Sequence, residues 1–395
     1  MKKALIICEV FFPEDFIIND LASEWYKKGY DLEVLTKTPS YPYGKTYKGY
    51  KNRLYQKTEY NGIKIHRFPV ISGYNKSLIL KILNYFNYLF FSTIIILFIG
   101  KRYDRIFIYQ TGPLTQAFAG VIAKKIYGCK LTIWSQDLWP DSVYAFGFKK
   151  SKLLVFFLNW IVRLIYKNCD KVLVSCEGFL SKLETYIPNK KIHYIPNWPL
   201  INKKSIKQIK LPGKFNFTFT GNIGKMQNLE NVILGFNLFS KNNPNVYLNI
   251  IGDGSHLESL KKVVKDNLIE NVNFTGRKPL EDMPCYFESS DVLILSLIDK
   301  PIYEITIPSK FQTYLTASKP IYAIMKGEVK DIVEKYEIGL TASPSNINEI
   351  SDGFYKLFQM KNDCISKISK KSNELLINKF NRDNLIVQID NIFWE

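Results

Sequence analysis

The chain has 395 residues, 46% of them hydrophobic and 15% aromatic, with 25 Tyr and 27 Phe. That excludes a disordered chain and suits two domains of roughly 200 residues, each with a sizeable core. Lys and Arg number 54 against 36 Asp and Glu, a net charge of +18 that points to an anionic partner: nucleic acid, a membrane surface or a phosphorylated ligand. An AT-rich genome, which enriches Lys, Asn and Ile, accounts for the excess equally well. Six cysteines lie scattered without a close pair, which suits reduced thiols in the cytoplasm and argues against a disulfide or zinc framework.

Met1 leads into KKALIICEVFF, whose apolar run continues through Pro13, Glu14 and Asp15 without a small-residue cleavage site, so it reads as a first strand rather than a leader. Apolar runs at 4–10, 32–36, 63–68, 105–110, 131–135, 171–176 and 192–195 alternate with helical spacing at 19–28, 113–127 and 152–168. Strand, helix, strand repeated this often predicts a parallel sheet with helices on both faces. Residues 38–57, TPSYPYGKTYKGYKNRLYQK, carry five Lys or Arg and five Tyr. That mixture suits a lipid headgroup interface, nucleic-acid stacking or a solvated lid. Residues 78–100 contain a charge-free run long enough for a membrane span. However, the strands on either side should pair in one sheet, and Asn84 and Asn87 are costly in hydrocarbon. A crossover helix, either simply buried or partly dipping into a membrane face, is expected there.

WSQDLWPDS, residues 134–142, ends a strand in Gln136, Asp137 and Asp141 with Trp134 and Trp139 around them. Strand ends of open α/β sheets are where ligands bind. Asp137 is therefore expected either to orient a reacting hydroxyl or to cap the following helix. Trp134, Trp139 and Trp198 either wall the site or belong to the core.

The basic, proline-punctuated stretch 195–214 holds a linker at 199–213, after which the strand pattern restarts. Glycines recur where strands turn into helices: Gly221 and Gly224 in TFTGNIGKMQNLENV, then Gly252 and Gly254 in IIGDGSHLESL. Bare backbone N–H groups at such turns receive phosphate. Arg277 and Lys278 stand at a third strand end, and Glu304, Ser309 and Lys310 at a fourth. Together these ends predict a nucleotide diphosphate site. No Asp-x-Asp motif is present to hold a diphosphate through a cation.

These stretches carry a resemblance. FFPEDFIINDLA, SYPYGK, WSQDLWPDS, IPNW, TGNIGKMQNLE, IGDGS, GRKPLEDMP and IPSKFQTYLTASKP, in order across residues 11–320, resemble glycosyltransferase family 4. The branch is the one similar to bacterial N-acetyl-L-fucosaminyltransferases of O-antigen and capsule assembly. The resemblance implies the GT-B fold, two doubly wound Rossmann-like domains facing across a cleft, with C-terminal helices. It places an acceptor domain at 1–198, the donor domain at 214–375, and a helix at 376–395 packing back on the first domain. It implies a retaining transferase with no metal or other cofactor, moving N-acetyl-L-fucosamine or a related N-acetylated deoxyhexosamine from a UDP-sugar to a polyprenyl-diphosphate-linked glycan. The expected location is the inner face of the cytoplasmic membrane, held peripherally by anionic lipid.

By resemblance, catalysis falls to Asp137, Lys310 and Glu304. Donor binding falls to Gly221, Asn222, Gly224, Lys225, Gly252, Gly254, Arg277, Lys278, Pro308, Ser309 and Thr313, and acceptor binding to Gln136, Trp139, Asp141 and Asn19. The chain departs from the family pattern in three places. Gln136 stands where a His is frequent, Asn222 and Gln227 replace Arg and Lys, and Thr313 replaces the second Glu of a pair whose first lies near Glu304. The diphosphate is then left to Lys225 and Lys310. Two other classes compete: a nucleotide-sugar 2-epimerase of the same fold, and a basic nucleic-acid binder. The repeated strand-loop-helix ends match no common nucleic-acid motif, so nucleic acid is not an expected partner.

Overall fold

The computed structural model describes residues 2–75, 77–145, 151–200 and 209–395. They form two compact units, one of Met1–Pro196 with Asp383–Glu395 and the other of Asn197–Arg382. Of the expected linker, 201–208 lie outside the described residues.

The first unit runs β1 (Lys3–Cys8), α1 (Ile17–Lys27), β2 (Asp31–Lys37), β3 (Gln56–Tyr60), β4 (Ile63–Phe68), α2 (Leu78–Ile99), β5 (Arg105–Gln110), α3 (Phe118–Tyr127), β6 (Lys130–Ser135), α4 (Asp141–Ala145), α5 (Lys152–Asn168), β7 (Lys171–Val174), α6 (Gly178–Glu184) and β8 (Ile192–Tyr194). Its sheet has the order β3-β4-β2-β1-β5-β6-β7-β8, parallel except for β3. The central strands are almost continuous runs of buried Val, Ile, Leu and Phe, as strands covered on both faces must be. β3 was hidden in the sequence because QKTEY is polar on both sides, which only an edge strand tolerates, and it shortens the basic loop expected at 38–57. The helix expected at 113–127 begins as a 3₁₀ turn, Leu114–Ala117.

α2 is long and apolar enough to cross a membrane. It joins β4 to β5, which lie in one sheet, so it is a crossover helix; Ser77 caps it, its Oγ accepting from the Leu80 N–H at 3.2 Å. Right-handed crossovers place α2, α3 and α5 on the same face of the sheet, with α3 packed against both of its neighbours.

The second unit runs β9 (Phe215–Thr220), α7 (Leu229–Ser240), β10 (Val246–Ile251), α8 (Leu257–Asp266), β11 (Val272–Gly276), α9 (Met283–Glu288), β12 (Val292–Ser296), α10 (Pro301–Glu304), α11 (Ser309–Leu315), β13 (Ile321–Ile324), α12 (Glu328–Lys335), β14 (Gly339–Ala342), α13 (Ile347–Phe358) and α14 (Asn362–Lys379). Its sheet is wholly parallel, in the order β11-β10-β9-β12-β13-β14. One face is packed by Phe217, Phe236, Phe239 and Phe354, whose rings meet largely edge to face. These are two Rossmann-like α/β domains of the GT-B kind.

The last helix, α15 (Arg382–Trp394), completes the first unit. Phe393 stacks on Trp25 at 5.0 Å and meets Phe107 edge-on at 5.2 Å, while Trp394 lies flat on Tyr30 at 4.1 Å. Asp390 accepts from the Trp25 indole at 2.5 Å and pairs with Lys28 at 2.7 Å. Phe393 is buried, so Phe393→Ala should cost about 3 kcal/mol through the cavity it leaves, lowering the melting temperature of the first unit by several degrees. Thermal unfolding followed by tryptophan fluorescence checks this; an unchanged transition would show that α15 rests on the unit without supporting it.

Candidate active site

In the second unit the strand ends fix a glycine cradle. The Gly221 N–H donates to the Ile251 carbonyl at 2.8 Å, and the Gly252 N–H to the Gly276 carbonyl at 3.0 Å, so the ends of β9, β10 and β11 are laced together. A Cβ on Gly252 would fall 1.8 Å from the Gly221 oxygen, and one on Gly254 would fall 2.4 Å from the Ile223 oxygen. Only bare backbone fits either place. Ile223 is buried and tied to Asp253 and His256 through backbone hydrogen bonds, which leaves Gly221, Asn222 and Lys225 exposed on the rim.

Lys310, in the first turn of α11, reaches into this cradle. Its Nζ lies 4.0 Å from the centroid of the Phe219 ring and donates to Gln227 Oε1. The Lys310 Cδ lies 3.4 Å from where a Gly221 Cβ would sit, so Gly221 gives the side chain its room. Among the described residues no carboxylate pairs with it, and burial pulls its ammonium down to about 7. The Tyr314 hydroxyl, one turn on, accepts from the Thr220 N–H at 2.9 Å and fastens α11 to the end of β9.

The other expected donor residues lie further out. Arg277, exposed, and Lys278 follow β11, two strands from β9. Pro308 precedes α11 in extended conformation, Ser309 is exposed, and the Thr313 hydroxyl is turned back onto the Ser309 carbonyl at 3.2 Å. Glu304 closes α10; its backbone is so near Gly327 that a Cβ there would fall 1.9 Å from the Glu304 oxygen.

In the first unit, Asp137 follows β6. Its carboxyl accepts from the Leu138 N–H at 3.0 Å, and burial pushes it up to about 6. It caps no helix, because α4 begins only at Asp141. Asp141 itself lies 4.0 Å from Lys182. The Gln136 N–H donates to the Gln110 carbonyl at 2.8 Å, and Trp139 is half-buried. Trp134 is buried and its indole donates to the Ile195 carbonyl at 3.1 Å; Trp198, which falls in the second unit, is buried as well. Asn19 is engaged at both ends of its amide: Oδ1 accepts from the Phe12 N–H at 3.1 Å and Nδ2 donates to the Glu14 carbonyl at 2.6 Å, bracing the loop after β1.

That strand-end edge also holds charges that the sequence reading passed over. Glu14 accepts from the N–H groups of Ser40, Tyr41 and Phe11, while burial raises its pKa. Glu9 pairs with buried Lys37 at 2.6 Å, and Lys37 lies 4.9 Å from the Tyr74 ring. Glu9 and Asp137 both act on Tyr85 of α2, whose phenol is raised first by burial and then by these two charges. Applying the strand-end argument to β1 as well as β6 would have found Glu9. Chemically, the first unit offers a carboxyl that exchanges its proton near neutral pH, and the second an unneutralised cation beside bare backbone.

Because the Asp137 carboxyl is raised from its ordinary value to about 6, folding is penalised above pH 6 and the penalty fades as pH falls towards 4. Asp137→Asn should therefore raise the melting temperature at pH 8, by an amount equivalent to about 3 kcal/mol, and progressively less towards pH 4. Scanning fluorimetry across that range measures it; a pH-independent difference would refute the raised pKa.

Residues 17–198 match the family model of the Glycosyl transferase 4-like domain, and residues 201–374 that of Glycosyl transferases group 1. The chain is 24% identical over 249 residues to the probable glycosyltransferase WbjE of Pseudomonas aeruginosa, a match covering 60% of this chain and 62% of that protein. It is 21% identical over 309 residues to the putative colanic acid biosynthesis glycosyl transferase WcaI of Escherichia coli strain K12, covering 74% of this chain and 75% of that one. The structure of Anabaena HepE in complex with UDP and glucose superposes with a TM-score of 0.71 at 13% identity, covering 99% of both chains.

Proposed function

The chain carries both domains of a GT-B glycosyltransferase, and we propose that it moves a sugar from a UDP-sugar donor to a lipid-linked glycan acceptor with retention at the anomeric carbon. The single observation that carries this reading is Lys310, a half-buried cation beside the Gly221 backbone that no carboxylate among the described residues meets. When a glycosyl C–O bond breaks, the electron pair leaves with the diphosphate, and a preorganised cation stabilises that charge without reorganising water. Lys310 takes this role, with the glycine turns and Lys225 on the rim. No metal ion is invoked for it. Glu304, Arg277, Lys278, Pro308, Ser309 and Thr313 complete the donor side as expected from the sequence. Asp137 takes the acceptor hydroxyl, assisted by Gln136, Trp139 and Asp141.

The HepE complex holds UDP and glucose, which favours a UDP-sugar here, and the resemblance singles out UDP-N-acetyl-L-fucosamine or a related N-acetylated deoxyhexosamine. The name of WcaI favours surface polysaccharide assembly, hence a polyprenyl-diphosphate-linked acceptor in capsule or O-antigen synthesis. Such an acceptor is confined to a bilayer. The exposed Lys45, Lys48, Lys51 and Arg53, with the apolar α2, suit peripheral attachment at the cytoplasmic face, each basic group contributing about 1 kcal/mol near anionic lipid.

Lys310→Ala should lower turnover roughly 100-fold, about 3 kcal/mol of lost leaving-group stabilisation. Normal turnover in a folded variant would overturn the assignment. Since the ammonium sits near 7 when free and is raised by a bound diphosphate, UDP binding should take up a proton above pH 7 and weaken towards pH 9. Calorimetry in buffers of different ionisation enthalpy reads that proton directly, and Lys310→Met should abolish it. Replacing Lys45, Lys48, Lys51 and Arg53 with Ser should weaken binding to anionic vesicles while leaving UDP affinity unchanged. Equal vesicle binding by co-sedimentation would remove the loop from the membrane interface.

A further inference from the structure

α5 carries an apolar face for which the fold has no use. Its inner side, Leu158, Ile161, Val162, Ile165 and Tyr166, is buried in the first unit. Its outer side should then be polar. Instead Leu153, Phe156, Phe157 and Trp160 stand 79%, 72%, 53% and 50% exposed. Their spacing of i, i+3, i+4 and i+7 puts them on one stripe, and the rings of Phe157 and Trp160 stack at 6.0 Å. The exposed positions beyond the stripe are basic: Lys152 before it, Arg163 and Lys167 after it. A helix with large apolar groups on one outward band and cations at its borders has the composition of an interfacial helix, with Trp at the depth where its amphipathic ring is favoured.

The placement extends the argument. α2 and α5 both pack against the 3₁₀ turn Leu114–Ala117 that follows β5, and both lie on the same face of the sheet. α2 exposes Ile79, Leu83, Phe86 and Phe90. The two helices that flank α3 thus leave large apolar side chains uncovered on one side of the unit, which a soluble surface does not tolerate without a partner. Charge decides which partner. A second copy would bring another +18 against this one, whereas an anionic bilayer attracts it. A span is excluded for α5 as it is for α2, because β6 and β7 on either side of it pair in one sheet.

We propose that α5 is a second membrane-inserting element, its Leu153, Phe156, Phe157 and Trp160 stripe entering the headgroup and upper acyl region of an anionic bilayer together with α2, across α3 from it. This rests on the peripheral attachment proposed above and adds to it a specific anchor. With one helix the unit could pivot about its axis on the surface; with two it is held in a plane.

The test uses the full chain with phosphatidylcholine vesicles containing phosphatidylglycerol. Trp160 emission, isolated as the difference between wild type and Trp160→Phe, should shift to the blue on vesicle addition and be quenched by lipids brominated in the acyl chain. The triple variant Phe156→Ser, Phe157→Ser, Trp160→Ser should bind vesicles roughly tenfold more weakly, with melting temperature and UDP affinity unchanged because all three side chains are exposed. If the wild type binds vesicles while Trp160 neither shifts nor is quenched, and the triple variant binds equally, the α5 anchor is wrong and the attachment through the basic loop and α2 still stands. If the wild type fails to bind at all, peripheral attachment itself fails. Self-association in sedimentation velocity without vesicles, abolished by the triple variant, would overturn the proposal in favour of an interface between copies.

Discussion

The second unit is organised around one unneutralised charge. An ammonium carried into a dehydrated place costs several kcal/mol unless something opposite in charge meets it. Here, among the described residues, Lys310 meets a neutral amide oxygen, from Gln227, and the face of a ring, from Phe219. Gly221 has no side chain to fill the approach, and Gly252 and Gly254 let three strand ends close behind it on bare backbone. A Glu at position 227 would have satisfied the cation permanently and competed with any anionic ligand. The neutral partner keeps the side chain in place while leaving the charge balance open, which is the condition of a site that binds an anion and later releases it.

Periodicity made the two sheets legible, because strands buried on both faces are written as unbroken apolar runs, and the glycine turns were legible because backbone approaching backbone leaves no alternative residue. Lys310 and Asp137 were found by the same logic of strand ends. What stayed hidden depends on pairings far apart in the chain. Gln227 and Lys310 are 83 residues apart, Glu9 and Lys37 are 28, and neither pair has a local period to betray it. Trp134 could not be decided from sequence, because a tryptophan at a strand end suits a site wall or a core equally; its burial and its bond to the Ile195 carbonyl come from a partner 61 residues away. The amide of Asn19, a residue the resemblance places on the acceptor side, braces the loop that carries Glu14 through bonds that have no period in the sequence.

The first unit treats its two sheet edges and two sheet faces differently. At the edge where strands begin, Glu33 is buried, but the charge is satisfied by His66, Tyr103 and Lys3, which together hold its carboxyl down at about 2. At the edge where strands end, Asp137 is raised and Glu9 is met by a single lysine. The charges are well satisfied at one edge and less so at the other. The faces divide in the same way: one is sealed by aromatic contact with α15, and the other leaves α2 and α5 uncovered.

The sealing of that face has a consequence for how the molecule is made. The helix that covers Trp25, Tyr30 and Phe107 comes after the whole of the second unit in chain order, so it leaves the ribosome only once that unit has been made. A nascent chain can build the eight-stranded sheet early, yet its tryptophan-lined face stays open while the whole second unit is translated. During that interval the exposed rings are a binding surface for a chaperone holdase. A transcript broken anywhere before the codon for Asp383 yields a first domain that is threaded but never closed.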